Sequence, residues 1–266
     1  MRYVLLHGLA SSPNVWSAVK MRMRKELSNG KTDILAPTLV MDGSIEDEAD
    51  RVASAMSVPA APGTIVGHSM GGLVAVALAE RRPELVERLV LLNSPTSVES
   101  RLSSKHRSER ALRNRRLGPA MWRMMGERAA RRGLASAFAP GYQVPQPIVD
   151  AFLRTPYETF VGSTEAIDTY LAAQPLADRL AGLDVPVTVL FGTSDQRVDP
   201  SIALEQYRSI DSASVSVSVA VHPMSYVGHT PPIENSLATF RAIVSDDDIA
   251  AYLQEDRDEE PSTAAD

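Results

Sequence analysis

The sequence predicts an α/β fold in which about six mostly parallel strands are flanked by helices. Short runs of aliphatic and β-branched residues alternate with segments of helical periodicity, which is typical of right-handed β-α-β crossovers. The first five runs are continuous, as expected of parallel strands that are covered on both faces. The sixth alternates valine with small residues and is therefore predicted to be an edge strand. The predicted strands are residues 3–6, 33–35, 64–66, 88–92, 187–191 and 215–221.

The helical segments are marked by their caps and stops. Ser44 opens an S-I-E-D cap, and apolar residues then recur at helical spacing up to Met56. A second helix is predicted over 73–82, because Pro83 cannot continue it. We expect Trp16 to lie in the core.

A long interval without a predicted strand separates two parts of the core. Because a structureless loop of this length is implausible, we predict a helical insertion over 96–184. Its helical patterns cover residues 102–116, 119–132, 146–154 and 157–173. The core then comprises residues 1–95 and 185–254, and the acidic residues 255–266 are predicted to form a disordered tail.

Composition excludes several classes of function. The chain has no cysteine, which removes disulfides, thiolate nucleophiles and Cys-ligated metal sites. A net charge of −6 disfavours general binding to nucleic acid. No segment is apolar enough for a membrane span, and His7 interrupts the N-terminal apolar run too early for a signal peptide. We therefore expect a cytoplasmic protein whose mature chain starts at Met1, with no membrane or nucleic-acid partner.

A G-x-S-x-G motif follows the third predicted strand. The letters GHSMG stand at 67–71, between the strand 64–66 and the following helix. In this context the motif predicts a sharp strand–turn–helix that lifts Ser69 above the sheet, with small residues where the backbone is crowded. The alternative is a Gly-rich turn in which Ser69 has no role.

With three further landmarks the chain resembles the α/β-hydrolase superfamily. His7-Gly8 follows the first strand, FGTSDQRVDP stands at 191–200, and GHTPPIEN stands at 228–235. Nucleophile, acid and histidine are in the chain order of that fold. The resemblance implies a helical cap inserted after the sixth family strand. It also implies that the first two strands of the eight-stranded family core are missing here.

The resemblance assigns a catalytic triad of Ser69, Asp195 and His229. A serine hydroxyl needs an imidazole to accept its proton and a carboxylate to orient that imidazole. Asp199 is the rival acid, although we expect it to cap a turn or helix, and His222 is the rival base. The remaining histidines fit worse: His7 and His68 are expected to make structural hydrogen bonds, and His106 lies in a basic helix.

Two backbone N–H groups complete the expected site. By resemblance they belong to Leu9 and Met70, and they form the oxyanion hole. Trp122 and Met125 are candidates for a substrate-binding wall, with ordinary helix packing as the alternative. No metal-binding motif, Walker loop or dinucleotide fingerprint is present, so we expect neither a metal nor a cofactor.

The predicted function is cofactor-free cleavage of an ester or thioester of a small-to-medium apolar substrate through an acyl-enzyme. Two alternatives remain open at this point. One is a lyase of the same fold that eliminates a carboxylate in natural-product tailoring, and the other is a non-catalytic ligand receptor. Residues 101–132 carry eleven basic and two acidic side chains. They form either a solvated helix face or a surface that attracts an anionic or carrier-bound substrate. The oligomeric state expected is a monomer or homodimer.

Overall fold

The computed structural model describes residues 1–27, 32–56, 61–105, 107–213 and 218–245. Across these residues six strands form one sheet in the order β2-β1-β3-β4-β5-β6, with every neighbouring pair parallel. The predicted α/β fold class is confirmed. The strands are β1 (Arg2–Leu6), β2 (Asp33–Leu35), β3 (Gly63–His68), β4 (Val86–Leu92), β5 (Val187–Gly192) and β6 (Val219–Met224).

Helices cover both faces of this sheet. Alternate residues of β1 enter two different hydrophobic clusters, Val4 and Leu6 on one face and Tyr3 and Leu5 on the other. Core helices are α1 (Ser17–Glu26), α2 (Ile45–Met56), α3 (Met70–Arg81), α10 (Pro200–Ala213), α11 (Pro231–Glu234) and α12 (Ser236–Val244). Trp16 is fully buried, as predicted.

The secondary-structure elements between β4 and β5 are all helices. These helices are α4 (Arg107–Leu112), α5 (Gly118–Arg123), α6 (Glu127–Leu134), α7 (Gln146–Arg154), α8 (Tyr157–Ala173) and α9 (Leu176–Ala181). The last two predicted patterns, 146–154 and 157–173, coincide with α7 and α8. No helix in the described ranges is long and apolar enough to cross a membrane.

The first two helical patterns of this segment are wrong in length. The predicted helix 102–116 is broken because the Asn114 side chain accepts hydrogen bonds from the N–H groups of Arg116 and Leu117. The predicted helix 119–132 is broken because extended backbone at Gly126 separates α5 from α6. Short helices therefore replace two long ones.

The sixth strand also differs from its predicted bounds. It is the edge strand, as expected, but it runs to Met224 rather than ending at residue 221. The predicted start at 215–217 lies outside the described residues, as do His106 and the tail 255–266.

The close approach of α3 to β1 requires glycine at position 71. A Cβ atom there would lie 2.4 Å from the carbonyl oxygen of Leu6 and 2.7 Å from that of His7. Both contacts are with backbone, which cannot rotate away. By contrast, a Cβ at Gly162 in α8 would meet only the Met41 carbonyl oxygen, at 4.0 Å.

We therefore expect Gly71→Ala to lower the free energy of unfolding by about 1–3 kcal/mol, through steric overlap with β1. The matched variant Gly162→Ala should raise it by up to about 1 kcal/mol, because alanine is favoured in a helix interior. Urea unfolding followed by circular dichroism measures both changes. Equal effects of the two substitutions would contradict this account of the α3–β1 contact.

Candidate active site

Ser69 occupies a strained turn between β3 and α3. Its backbone has φ 55° and ψ −119°, outside the regions that residues with side chains ordinarily adopt. The Ser69 N–H donates to the carbonyl oxygen of Leu92, 2.8 Å away, and this bond ties the turn to β4. The turn ends β3 and begins α3 at once, so Ser69 lies at the carboxyl edge of the sheet.

The glycines around Ser69 are required by contact. A Cβ at Gly67 would lie 2.4 Å from the Cα of Gly72. A Cβ at Gly72 would lie 1.8 Å from the hydroxyl oxygen of Ser94. The small residues of the motif therefore allow the chain to reverse within a few residues, which is what the sequence predicted for this turn.

The structure brings Ser69, His229 and Asp195 into one hydrogen-bonded chain. The Ser69 hydroxyl lies 2.9 Å from His229 Nε2, and His229 Nδ1 lies 2.7 Å from Asp195 Oδ2. This geometry lets the imidazole take the serine proton at Nε2 while Nδ1–H donates to the carboxylate. Asp199 is elsewhere: its side chain accepts from the N–H groups of Ser201 and Ile202 and caps α10.

Asp195 is held by donors on both of its oxygens. Oδ1 accepts from the N–H groups of Arg197 at 2.7 Å and Val198 at 3.0 Å. Oδ2 accepts from Asn93 Nδ2 at 2.7 Å in addition to His229. These donors take the place of the water that burial removes from the Asp195 carboxylate.

Asn93 was not identified from the sequence as a site residue. It follows β4 with φ 47°, and its Oδ1 accepts from the N–H of Gly192 at the end of β5. Its amide also donates to the carbonyl oxygen of Gly228, beside His229. The available signal was its position: a polar residue after a central strand lies at the same edge as the nucleophile.

Glu234 fixes the loop that carries His229. Its carboxylate accepts from the N–H groups of Gly228 at 3.0 Å and Thr230 at 2.9 Å, on either side of the histidine. It also accepts from Ala139 in the segment between β4 and β5, at 2.7 Å. Burial raises the pKa of Glu234, while these three donors oppose that shift. This role could not be predicted from the sequence, in which Glu234 is only one residue of the GHTPPIEN landmark.

His68 positions the same histidine through its backbone. Its Nε2–H donates to the carbonyl oxygen of His229 at 2.7 Å, and the ring centroids of the two histidines are 5.2 Å apart. Burial and the neighbouring His229 lower the pKa of His68 to about 3. His7 is also buried and accepts from the N–H of Leu39, and burial lowers its pKa. Both therefore make the structural hydrogen bonds expected of them.

The two expected oxyanion donors lie beside the nucleophile. Met70 is the first residue of α3, where an N–H group has no acceptor within the helix. Leu9 lies in the turn after β1 and lines the same cavity as Ser69. A Cβ at neighbouring Gly8 would be 3.2 Å from that of Ser69, which shows how closely this turn approaches.

The cavity above Ser69 and His229 has a volume of about 100 Å³. Its apolar wall consists of Val15, which follows β1, and of five residues between β4 and β5: Leu134, Ile148, Phe152, Phe160 and Ile167. Two arginines, Arg101 and Arg197, also line it. In the described part of the chain no three His, Asp or Glu side chains are grouped to hold a metal ion.

Trp122 and Met125 do not line this cavity. The Trp122 ring stacks on Phe160 with centroids 4.7 Å apart and tilts against Phe152 at 5.0 Å. Its Nε1–H donates to the carbonyl oxygen of Thr155. Met125 packs against the core. The two residues thus support the wall from behind, and the expectation that they contact substrate directly is not supported.

Comparison with known proteins places this geometry in a family. A sequence model of the alpha/beta hydrolase family matches residues 3–243. The chain belongs to this family. A pimeloyl-acyl-carrier-protein methyl ester esterase of Neisseria meningitidis serogroup A is 28% identical to it, over 91% of this chain and 75% of the relative. The serogroup C protein of the same name is 30% identical, over 76% of this chain and 74% of the relative.

Solved structures agree on the fold. The enol-lactonase from Burkholderia xenovorans LB400 superposes with a TM-score of 0.70 at 25% identity, covering 94% of this chain and 91% of that one. A haloalkane dehalogenase from Bradyrhizobium elkani also gives 0.70, at 18% identity, over 97% and 91% of the two chains. Family membership together with the esterase relatives supports a carboxylic ester hydrolase.

We expect His68 to make the fold acid-sensitive. Its pKa is near 6.5 when unfolded and about 3 when folded, so between these values the unfolded state binds more protons and stability falls as pH falls. In His68→Gln, whose amide can still donate to residue 229, the slope between pH 6 and 4 should decrease. The expected decrease is about 1.4 kcal/mol per pH unit. Urea unfolding at several pH values measures it, and unchanged slopes would contradict a neutral buried His68.

Proposed function

We propose that the chain is a cofactor-free serine esterase that works through an acyl-enzyme on Ser69. The observation that supports this most directly is the hydrogen-bonded chain from Ser69 through His229 to Asp195, opening into a cavity with apolar walls. The network around Asp195 and His229 leaves the imidazole a single orientation, which is what general-base catalysis requires.

In the first half-reaction the Ser69 oxygen attacks the ester carbonyl carbon as its proton moves to His229 Nε2. The carbonyl oxygen becomes an oxyanion that accepts from the N–H groups of Leu9 and Met70. Asp195 stabilises the imidazolium that forms. Collapse of the tetrahedral intermediate breaks the bond to the leaving alcohol or thiol, which receives the proton from His229.

In the second half-reaction water replaces the leaving group. His229 takes a proton from that water as its oxygen attacks the acyl carbon, and the new oxyanion occupies the same pair of N–H groups. Breaking the bond to Ser69 releases the acid, and the serine regains its proton from His229. The cycle is balanced by one water molecule and needs no redox or metal group.

The acyl group that fits this site is small to medium in size. Aliphatic and aromatic side chains supply most of the cavity wall, so apolar area is buried when an acyl chain enters. A volume of about 100 Å³ limits the part of the substrate that the cavity can hold. We place the leaving group toward the cavity opening, which suits an alcohol or thiol attached to something larger.

We further propose that the substrate is presented by an acidic carrier protein that docks on α6. The relatives named above act on an acyl-carrier-protein ester. In α6, Ala130 and Leu134 face inward, and Leu134 lines the cavity. Arg128 and Arg132 are exposed, and together with exposed Tyr142 they line a groove on the surface. Positive charge thus lies on the outer face of a helix whose inner face contacts the substrate space.

Not all of the basic residues between 101 and 132 are available for such docking. Arg113 bonds Asp168 at 2.6 Å, and Arg115 bonds Glu165 at 3.2 Å. Arg131 pairs with Glu127 and donates to the carbonyl oxygen of Val144. We assign carrier attraction to Arg128 and Arg132 because both are exposed on α6, the helix whose Leu134 lines the cavity.

The triad proposal predicts large losses on substitution. Ser69→Ala or His229→Ala should lower kcat by about 10³–10⁶, and the double variant should be little worse, because the residues act as a unit. Asp195→Asn should cost about 10²–10⁴. Asp199→Asn is the matched control and should leave kcat nearly unchanged, because Asp199 caps α10. Methanol release from methyl esters measures each rate.

Two further readouts separate the alternatives. A fluorophosphonate probe should label the wild-type chain at Ser69 and leave Ser69→Ala unlabelled; an unreactive serine would favour a receptor. In ¹⁸O-water, hydrolysis places the label in the released acid. An alkene product without label would contradict hydrolysis and favour elimination.

The carrier proposal predicts a salt-dependent effect. Replacing Arg128 and Arg132 by Glu should lower kcat/KM for an acyl thioester of a carrier protein about tenfold or more at low salt, because electrostatic attraction accelerates encounter. The loss should shrink as salt rises. Replacing exposed Arg24 and Lys25 of α1 by Glu is the matched control. If kcat/KM for a free methyl ester falls by the same factor, the substitutions in α6 affect a step other than carrier docking.

A further inference from the structure

Arg197 brings a positive charge into the catalytic cavity. It lies two residues after Asp195, and its N–H donates to Asp195 Oδ1 at 2.7 Å, so its backbone is part of the triad loop. Its side chain lines the cavity together with Ser69 and His229. Ser103 lines the same cavity, and its N–H donates to the Arg197 carbonyl oxygen at 3.1 Å.

Among the described residues, the guanidinium of Arg197 has no carboxylate partner within ion-pair distance. Its Nη2 donates to a neutral acceptor, the Gly133 carbonyl oxygen, at 2.7 Å. Its Nε is buried and has no hydrogen-bond acceptor among the described residues. Burial lowers the pKa of Arg197, the direction expected for a cation removed from water without a matching anion.

The other arginine of the cavity shows the contrast. Arg101 is buried, and it bonds Asp168 through Nη1 and lies 3.6 Å from Glu109 through Nη2. Its charge is therefore compensated within the protein.

Two acids interact electrostatically with Arg197. Glu109 is one of them; its Oε1 lies 3.6 Å from Arg101 Nη2 and, among the described residues, has no hydrogen-bond partner. Asp195 also faces it, and both of its oxygens are occupied by His229, Asn93 and backbone N–H groups. No ion pair joins Arg197 to either acid among the described residues.

Arg197 is partly buried, and a cation whose buried Nε–H has no acceptor is stabilised when an anion reaches it. A guanidinium offers parallel N–H groups that match a carboxylate, and such charge-assisted bonds are among the strongest in proteins. Because this donor shares a cavity with the nucleophile, the missing anion can be part of the molecule that Ser69 attacks.

We propose that Arg197 forms a carboxylate subsite, and that the substrate is a short acyl ester whose far end carries a carboxylate. The half-ester of a short dicarboxylic acid has this chemistry: its ester carbonyl lies at Ser69 and its free carboxylate at Arg197. This inference rests on the proposed esterase function and specifies its substrate class.

The test compares monomethyl glutarate with methyl glutaramate, in which an uncharged amide replaces the carboxylate at equal size. For the wild-type enzyme we expect kcat/KM to favour the anionic ester about tenfold or more, as for a hydrogen bond between charged groups. In Arg197→Gln this ratio should fall to about one, and Arg197→Lys should retain part of it. Arg24→Gln, on the surface of α1, is the matched control for loss of one positive charge. An unchanged ratio in Arg197→Gln overturns the subsite.

A binding measurement keeps the test independent of turnover. Calorimetry with Ser69→Ala should detect monomethyl glutarate, and adding Arg197→Gln should weaken its binding about tenfold or more. If both esters are hydrolysed with a kcat/KM ratio near one, and Arg197→Gln does not change that ratio, the subsite is overturned and the esterase proposal stands. Arg197-dependent binding without hydrolysis of either ester supports the subsite and overturns the esterase proposal. Binding that does not depend on Arg197, or no binding, overturns the subsite.

Discussion

The positive φ angle at Ser69 is the constraint on which the rest of the site depends. A side-chain-bearing residue adopts this conformation only when its surroundings hold it there. Here they include the bond from Ser69 to Leu92 and the close contacts that require glycine at positions 67, 71 and 72. Because parallel strands end at one edge, the residues after β4, β5 and β6 then converge on the same point.

His229, the proposed general base, is held in place by several hydrogen-bonding groups around it. His68 holds its carbonyl oxygen, Glu234 holds the N–H groups on either side of it, and Asp195 holds its ring. Asn93 joins the loops of Asp195 and His229 through one amide group. The imidazole therefore needs little reorganisation when it accepts a proton, and preorganisation of this kind lowers the barrier to reaction.

Features with strong local signals were predictable from the sequence. Pro145 and Pro156 precede α7 and α8, and the bounds of both helices follow the periodicity. The breaks at Asn114 and Gly126 could not be predicted, because the helical periodicity of this Arg-rich run favours continuation. A side-chain cap at Asn114 and extended backbone at Gly126 interrupt the helices instead. Asn93 was missed for a different reason. Its partner Asp195 is 102 positions away, so only the folded topology shows that they meet.

Glu234 has a consequence for how this scaffold can diversify. Its carboxylate joins the N–H of Ala139, in the segment between β4 and β5, to the loop of His229. This segment is thus connected to the rest of the chain at its two chain junctions and also by hydrogen bonds to the His229 loop, including that from Thr230 to the Ala137 carbonyl oxygen. A chimera that exchanged this segment for that of a relative would have to present a backbone donor at the place of Ala139. Without one, the half-buried Glu234 would face the His229 loop with a donor missing, and the graft would disturb the geometry around His229 while leaving Ser69, Asp195 and His229 in the sequence.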